Sequence, residues 1–310
     1  MNAPETPDMV IAGAGAMGCL LAGRLAPVLR VAVLDSWRQG IFHLRTHGIR
    51  MECGDETLYI PPLSAHTDPH SWRNVPRALV VVKAWQTENV ARQLAACLHR
   101  DGRVLTLQNG LGNRERLAGI LGDARVFQGV TSAGATLLGP GHVRLAGRGS
   151  FSLPLDSQLD DFEDVFAAAG LEVTREASLE EMQWRKLAIN CAINPLTALL
   201  RAENGRLLDR GDLQSIMRVL VEEVVQTAGG KGIRLDAEAV FDTVLEVARR
   251  TSDNRSSMLQ DVLRGAPTEI ESLNGAVVQA GKEAGVATPY NACIYQLVQG
   301  MNDLQRGEDG

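Results

Sequence analysis

The sequence predicts an α/β protein, with an N-terminal Rossmann-type doubly wound sheet followed by an all-α C-terminal domain. Three observations predict it. Met9-Val10-Ile11-Ala12 is a short apolar run that leads into Gly13-Ala14-Gly15-Ala16-Met17-Gly18 and then a helical stretch over 19–25. Apolar runs of strand length recur at 30–35, 78–82 and 103–107, as buried parallel strands require. Strand signals then stop near residue 174, and 178–305 has a helical period broken at Gly229-Gly230, Gly265-Ala266-Pro267 and Gly285. Because 310 residues exceed the size at which a single core stops growing, two domains are expected: 1–175 for a dinucleotide and 176–310 for substrate and catalysis. A cleft between two such halves is a common place for a substrate to meet a coenzyme.

Composition narrows the partners. A hydrophobic share of 45% with 22% charged residues is that of a soluble globular chain. A net charge of -6 leaves no electrostatic footprint for nucleic acid or an anionic membrane, so a small-molecule partner is expected. The five cysteines are scattered without a Cys-x-x-Cys pair and the histidines are unclustered, which predicts no disulfide framework, no metal site and a reducing, cytoplasmic setting. Residues 1–9 lack a secretory signal pattern, and no apolar span reaches membrane length. The apolar helical half is suited to pairing with a second copy, so a homodimer is a candidate assembly.

In the glycine run, Gly13 permits a tight turn, Gly15 lets backbone approach a diphosphate and Gly18 lets helix and strand pack closely. Asp35 lies at the end of the second strand, 22 residues after Gly13 (35 − 13 = 22), where an acidic residue accepts hydrogen bonds from the adenosine ribose and repels a 2′-phosphate. That position favours NAD(H), or equally a cap for the next helix. Ser36 and Arg38 offer a hydroxyl and a guanidinium that suit a 2′-phosphate instead, with Trp37 near adenine. The histidines of 41–70 read as surface or loop residues. Lys83 and Asn109 each follow a strand end, where open α/β sheets bind ligands. Residues 125–131 read as one further strand, and 133–136, 139–145 and 149–153 as turns and hairpin strands added to the same sheet.

The second half is organised around an apolar helix interrupted at one spacing. Lys186, Asn190 and Asn194 lie four apart, so a cation and two amides form one stripe on an otherwise apolar surface. Burial lowers a lysine's pKa and makes it a proton donor near neutral pH; a snorkelling lysine with two backbone-capping amides has the same spacing. Further on, 254–261 carries amides and hydroxyls. Thr268 and Glu271 have the spacing of a capping box, which leaves Glu269 unassigned.

Taken in order, Lys83-Ala84-Trp85-Gln86, Gln108-Asn109-Gly110, Trp184-Arg185-Lys186-Leu187, Asn194-Pro195-Leu196-Thr197-Ala198, Ser256-Ser257-Met258-Leu259-Gln260-Asp261 and Thr268-Glu269-Ile270 resemble the ketopantoate reductase family over nearly the whole chain. The resemblance implies NADPH-dependent reduction of 2-dehydropantoate to (R)-pantoate, a step toward pantothenate and coenzyme A. It implies that the loop Gly13, Ala14, Gly15, Ala16, Met17 and Gly18 holds the diphosphate and that Lys83, Asn109 and Ala135 contact the coenzyme. Lys186 becomes the proton donor, and Asn190, Asn194, Asn204, Asn254 and Ser257, with Asn109, the substrate contacts. Glu269 reaches both coenzyme and active site. Ser36 stands where NADPH-using members often carry arginine, which leaves Arg38 as the candidate phosphate contact and NAD(H) open because of Asp35. Two alternatives remain: a paralogous reductase of another 2-oxo acid, and a nicotinamide-nucleotide sensor without turnover.

Overall fold

The computed structural model describes residues 6–147 and 149–308, with side chains described through residue 304. Part of the 1–9 stretch that lacks a secretory pattern therefore lies outside the described residues. The chain divides into two compact units, Met1–Gln108 with Asn113–Leu179, and Asn109–Gly112 with Glu180–Gly310.

The first unit runs β1 (Met9–Ala12), α1 (Ala16–Leu25), β2 (Val31–Leu34), α2 (Arg38–Thr46), β3 (Ile49–Cys53), β4 (Glu56–Ile60), β5 (Ser64–His66), β6 (Val75–Val80), α3 (Thr87–Cys97), β7 (Leu98–Thr106), α4 (Asn113–Leu121), β8 (Val126–Gln128), β9 (Val130–Thr131), β10 (Gly134–Gly139), β11 (His142–Gly147), β12 (Ser150–Pro154), α5 (Asp160–Ala168) and β13 (Glu172–Glu176). Its main sheet has the order β5-β2-β1-β6-β7-β8, with every pairing parallel. Chain order reverses between β1 and β6, which sets a topological switch point at their carboxyl ends. Every residue of β1 is buried because both faces are covered: Met9 and Ile11 enter one core, Val10 and Ala12 the other.

Three expectations are corrected here. Of the histidines of 41–70, His47 and His70 are exposed as expected, but part-buried His43 lies in α2 and His66 in β5, and the alternation of buried Ile49 and Met51 with exposed Arg50 is the period-2 signal of β3. Residues 125–131 form two strands in different sheets. They part at Gly129, where a side chain would lie 2.8 Å from a methyl carbon of Leu107. The hairpin strands do not extend the main sheet: β10 and β11 join β3 and β4 in a four-stranded sheet, and β12 sits between β13 and β9. Strand existence is local, whereas the choice of partner is a packing outcome.

The second unit is built of α6 (Leu179–Leu200), α7 (Gly211–Gly230), α8 (Ala237–Arg250), α9 (Ser257–Leu263), α10 (Asn274–Ala284) and α11 (Pro289–Glu308). α6 is its spine, with Trp184, Leu187, Ala188, Cys191, Ala192 and Ile193 all buried in one core. Pro195 lies inside α6 and has no N–H for the Cys191 carbonyl one turn back. Asn274 Nδ2 donates to that carbonyl at 3.3 Å instead, and to Asn291 Oδ1 at 2.9 Å. Asn291 Nδ2 in turn donates to Glu223 Oε2 at 2.7 Å, while the Glu223 carboxylate accepts the N–H groups of Tyr290 and Asn291 at 2.8 Å each. A buried carboxylate thus meets several donors at the positive end of α11, which offsets its desolvation. Among the described residues no helix is long and apolar enough to cross a membrane, and no group of three His, Cys, Asp or Glu side chains is placed to hold a metal.

Candidate active site

In the first unit, the turn after β1 has the geometry of a diphosphate cradle. Gly13 has φ +129, in the region that favours glycine, and a side chain at Gly18 would lie 1.8 Å from the Gly13 carbonyl oxygen. A side chain at Gly15 would meet nothing within 4 Å, so the loop opens outward there. α1 begins with no side-chain cap on Gly15 and no acidic residue in its first turn, so its leading N–H groups are left for an anion. Ala16 and Met17 form that first turn, and Ala14 is buried behind it.

Asp35 is buried and faces this loop. Its Oδ2 accepts from the Ala14 N–H at 2.6 Å and its Oδ1 from the Trp37 N–H at 2.8 Å, so the carboxylate ties the end of β2 to the glycine turn. It does not cap α2, whose N-cap is Trp37. The Trp37 indole lies against Gly40, where a side chain would approach within 2.2 Å of the ring. Ser36 and Arg38 are exposed, and Ser36 Oγ accepts from Gln86 Nε2 at 3.4 Å. Lys83, part-buried, opens the single turn Ala84–Gln86 and donates its N–H to Gln86 Oε1 at 3.3 Å. Ala135 is part-buried in β10, opposite Leu145 of β11.

Gln108, read in sequence only as part of the Gln108-Asn109-Gly110 motif, holds a set of buried hydrogen bonds. Buried at the end of β7, it donates through Nε2 to the Val82 carbonyl at 2.9 Å and to Thr87 Oγ1 at 2.8 Å, and accepts from Thr106 Oγ1 at 2.9 Å. It thereby pins the segments that follow β6 and β7 to each other, immediately before Asn109. Its only signal in sequence is a long amide directly after a buried apolar strand.

In the second unit, α6 carries the Lys186, Asn190 and Asn194 stripe. Asn194 is buried, and Lys186 and Asn190 are part-buried. Burial pushes the Lys186 ammonium down to about 8, while the charge of Glu269 opposes that fall. Glu269 is itself buried, in the turn that precedes Ile270–Ser272, and its carbonyl accepts both the N–H and the hydroxyl of Ser272 at 3.1 Å. The expected capping box does not form, because both of its members are taken by α11. Thr268 Oγ1 accepts from Asn302 Nδ2 at 2.9 Å and Glu271 from Gln299 Nε2 at 3.2 Å, with Tyr295 Oη also on Glu271.

The Asn109–Gly112 loop packs with this helical unit although it leaves a strand of the first. Gly110, at φ +84, passes so close to Ser272 that a side chain would lie 2.0 Å from its carbonyl oxygen. The Leu111 N–H donates to that oxygen at 3.0 Å, and Gln183 Nε2, one turn before Lys186 on α6, donates to the Gly110 carbonyl at 3.1 Å. Asn109 is therefore held by the same two elements that carry Lys186 and Glu269. The remaining predicted residues divide. Asn204 is buried and spends Nδ2 on Thr251 Oγ1 at 2.9 Å and its N–H on the Asn254 carbonyl at 3.0 Å, which ties two loops together. Asn254 is exposed, as is Ser257, the first residue of α9. The preceding Ser256 caps α9 and accepts from Thr197 Oγ1 at 2.7 Å, which fixes α9 against α6 close to Asn194.

A glycine-loop parallel sheet, with a lysine of lowered pKa beside a carboxylate in a helical unit, defines the class: a two-unit oxidoreductase. Within that class the chain belongs to the ketopantoate reductase PanE/ApbA family, whose model matches residues 9–157 and whose C-terminal model matches 178–302. It is 34% identical to the 2-dehydropantoate 2-reductase of Halobacterium salinarum over 298 residues, 94% of this chain and 97% of that one. It is 38% identical to the enzyme of the same name from Archaeoglobus fulgidus over 72% of this chain and 75% of the relative. Among solved structures, a PanE/ApbA family ketopantoate reductase from Ralstonia eutropha superposes with TM-score 0.87 at 30% identity, covering 96% of this chain and 99% of that one. D-mandelate dehydrogenase in a ternary structure with NADH and anilino(oxo)acetate superposes with TM-score 0.89 at 26% identity and the same coverage.

Proposed function

We propose that this chain is a 2-dehydropantoate 2-reductase, which reduces the ketone of 2-dehydropantoate to pantoate on the way to pantothenate. The observation that carries the reading is the stripe of Lys186, Asn190 and Asn194 on α6, where burial lowers the Lys186 pKa to about 8 against the charge of Glu269. The open N–H groups of the Gly13–Gly18 turn would hold the diphosphate of a nicotinamide dinucleotide, which would supply the hydride when bound. Lys186 keeps a proton on Nζ at neutral pH, stabilises the charge that grows on the ketone oxygen, and delivers the proton there. Glu269 favours the protonated form of Lys186. The amides of Asn109, Asn190 and Asn194 and the hydroxyl of Ser257 orient a polar 2-oxo acid without adding a charge that would compete with Lys186 for its carboxylate.

The pH dependence follows from this. A lysine donates only while protonated, so kcat/KM for reduction is level below its pKa and falls as pH rises through about 8, approaching tenfold per unit. Glu269→Gln removes the opposing charge and moves the break to lower pH. Initial rates from pH 6 to 10 measure both, and a level profile up to pH 10 would remove Lys186 from the mechanism.

For the coenzyme we infer a preference for NADH. The Asp35 carboxylate is anchored at the end of β2, where it favours ribose hydroxyls and opposes a 2′-phosphate, whereas Arg38 stands exposed at the start of α2. Steady-state rates with 2-dehydropantoate are expected to favour NADH over NADPH by at least about tenfold in kcat/KM, one unfavourable charge contact being worth on the order of 1.4 kcal/mol. The opposite ratio would assign the 2′-phosphate to Arg38. The likeness to D-mandelate dehydrogenase supports a second reading, reduction of an aryl 2-oxo acid. Phenylglyoxylate in the same assay separates them, and faster turnover of it than of 2-dehydropantoate would move the assignment.

A further inference from the structure

Away from the Lys186 stripe, the helical unit has a second concavity, a cavity of about 360 Å³ where the end of α6, the 203–206 segment and α9 meet. Arg201, Arg206 and Arg255 line it, against one carboxylate, Glu203. Arg206 pairs with Asp209 at 2.8 Å, whereas among the described residues Arg201 and Arg255 make no ion pair. Leu259 and Leu263, one turn apart on α9, supply an apolar wall, and Leu263 is 48% exposed. In a chain of net charge -6, two arginines without an ion pair lining a half-apolar hollow are a local reversal of sign.

The backbone adds a second observation. Arg201 directly follows α6 with φ +51, and the Ala202 N–H bonds the Thr197 carbonyl at 3.1 Å. This is the left-handed residue of a Schellman helix end, a position that favours glycine. A long cationic side chain is carried there at a conformational cost, and it lines the cavity.

The cavity lies away from Lys186, while its lining residues Glu203, Arg206 and Arg255 flank Asn204 and Asn254. Arg201 lies fifteen residues beyond Lys186 (201 − 186 = 15), roughly 22 Å along α6. Ser257 and Leu259 are about 200° apart around α9, so the cavity wall and the serine occupy opposite faces of that helix.

We propose that this cavity binds a small organic anion, an oxyanion head held by Arg201 and Arg255 on a short apolar body that packs against Leu259 and Leu263. Guanidinium forks match the paired oxygens of a carboxylate or a phosphate, and Glu203 limits the head to one or two charges.

The test is thermal unfolding of the full chain titrated with phenyl phosphate, benzoate and inorganic phosphate. A saturable rise in Tm is expected with phenyl phosphate or benzoate, and the stronger of the two identifies the head group. Arg255→Gln and Arg201→Gly each weaken the apparent affinity at least about tenfold, the loss expected for a charge-assisted hydrogen bond. Arg201→Gly relieves the left-handed strain, so its ligand-free Tm equals or exceeds that of the parent and misfolding does not explain the loss. Lys186→Ala leaves the shift in place, which separates this cavity from the active site. No saturable shift, or an equal shift in both arginine variants, would overturn the proposal. An equal response to inorganic phosphate and phenyl phosphate would overturn the apolar half of it.

Discussion

Lys186→Ala is expected to lower kcat by at least about 10²-fold while the protein still folds and binds its coenzyme. The activity loss follows from removing the one cation of the α6 stripe, whose pKa of about 8 keeps it protonated yet ready to donate at neutral pH. Retention of fold follows from the helix. Alanine is the best helix former, and the neighbouring core residues Trp184, Leu187, Ala188 and Cys191 are untouched. Removing a desolvated charge also relieves its burial cost. Stopped-flow or steady-state oxidation of the reduced coenzyme, beside a fluorescence titration of coenzyme binding, separates the two effects. Near-normal turnover would exclude Lys186 as the acid, and loss of coenzyme binding would show that the substitution disturbs more than proton transfer.

Gly18→Ala is expected to be the most damaging single methyl in the first unit. Its Cβ would stand 1.8 Å from the Gly13 carbonyl oxygen and 2.7 Å from the Gly13 carbonyl carbon, both backbone atoms that no rotamer change moves aside. α1 has to retreat from the turn, at about 3 kcal/mol, the upper end of overpacking costs. Its leading N–H groups shift with it, and a misplacement of about 1 Å costs roughly 10²-fold in a binding-dependent rate. Gly15→Ala is the control, since its Cβ meets nothing within 4 Å of the protein. It leaves the Tm near the parent value and hinders only an approaching diphosphate. Thermal unfolding and coenzyme titration of both variants make the comparison. Equal Tm values would mean that close packing at Gly18 is not what the glycine serves.

The Lys186 stripe and the glycine turn can both be read without a structure. The stripe of Lys186, Asn190 and Asn194 is a matter of helical period, and the glycine turn is a matter of spacing between a strand and a helix. Both are local, so they are legible in order along the chain, as are the main parallel strands and the change to helices after residue 174. The strands of 41–70 were also locally encoded, in the alternation of Ile49, Arg50 and Met51, but histidines and a short hairpin obscured it.

What the sequence by itself determined is therefore the element types, the glycine turn, the cation and amides of α6, and the family to which they belong. The tertiary structure alone decided their partners. It turned Asp35 toward Ala14 and Trp37, gave Asn274 to the carbonyl that Pro195 leaves without a donor, spent the Asn204 amide on Thr251, and drew the Asn109 loop onto Ser272 and Gln183 of the helical unit. It also brought Glu269 close enough to Lys186 to oppose the effect of burial on its pKa, across 83 residues of chain (269 − 186 = 83). The reason is physical. A backbone period acts within a few residues, whereas hydrogen-bond satisfaction and desolvation depend on which surfaces the fold buries against each other.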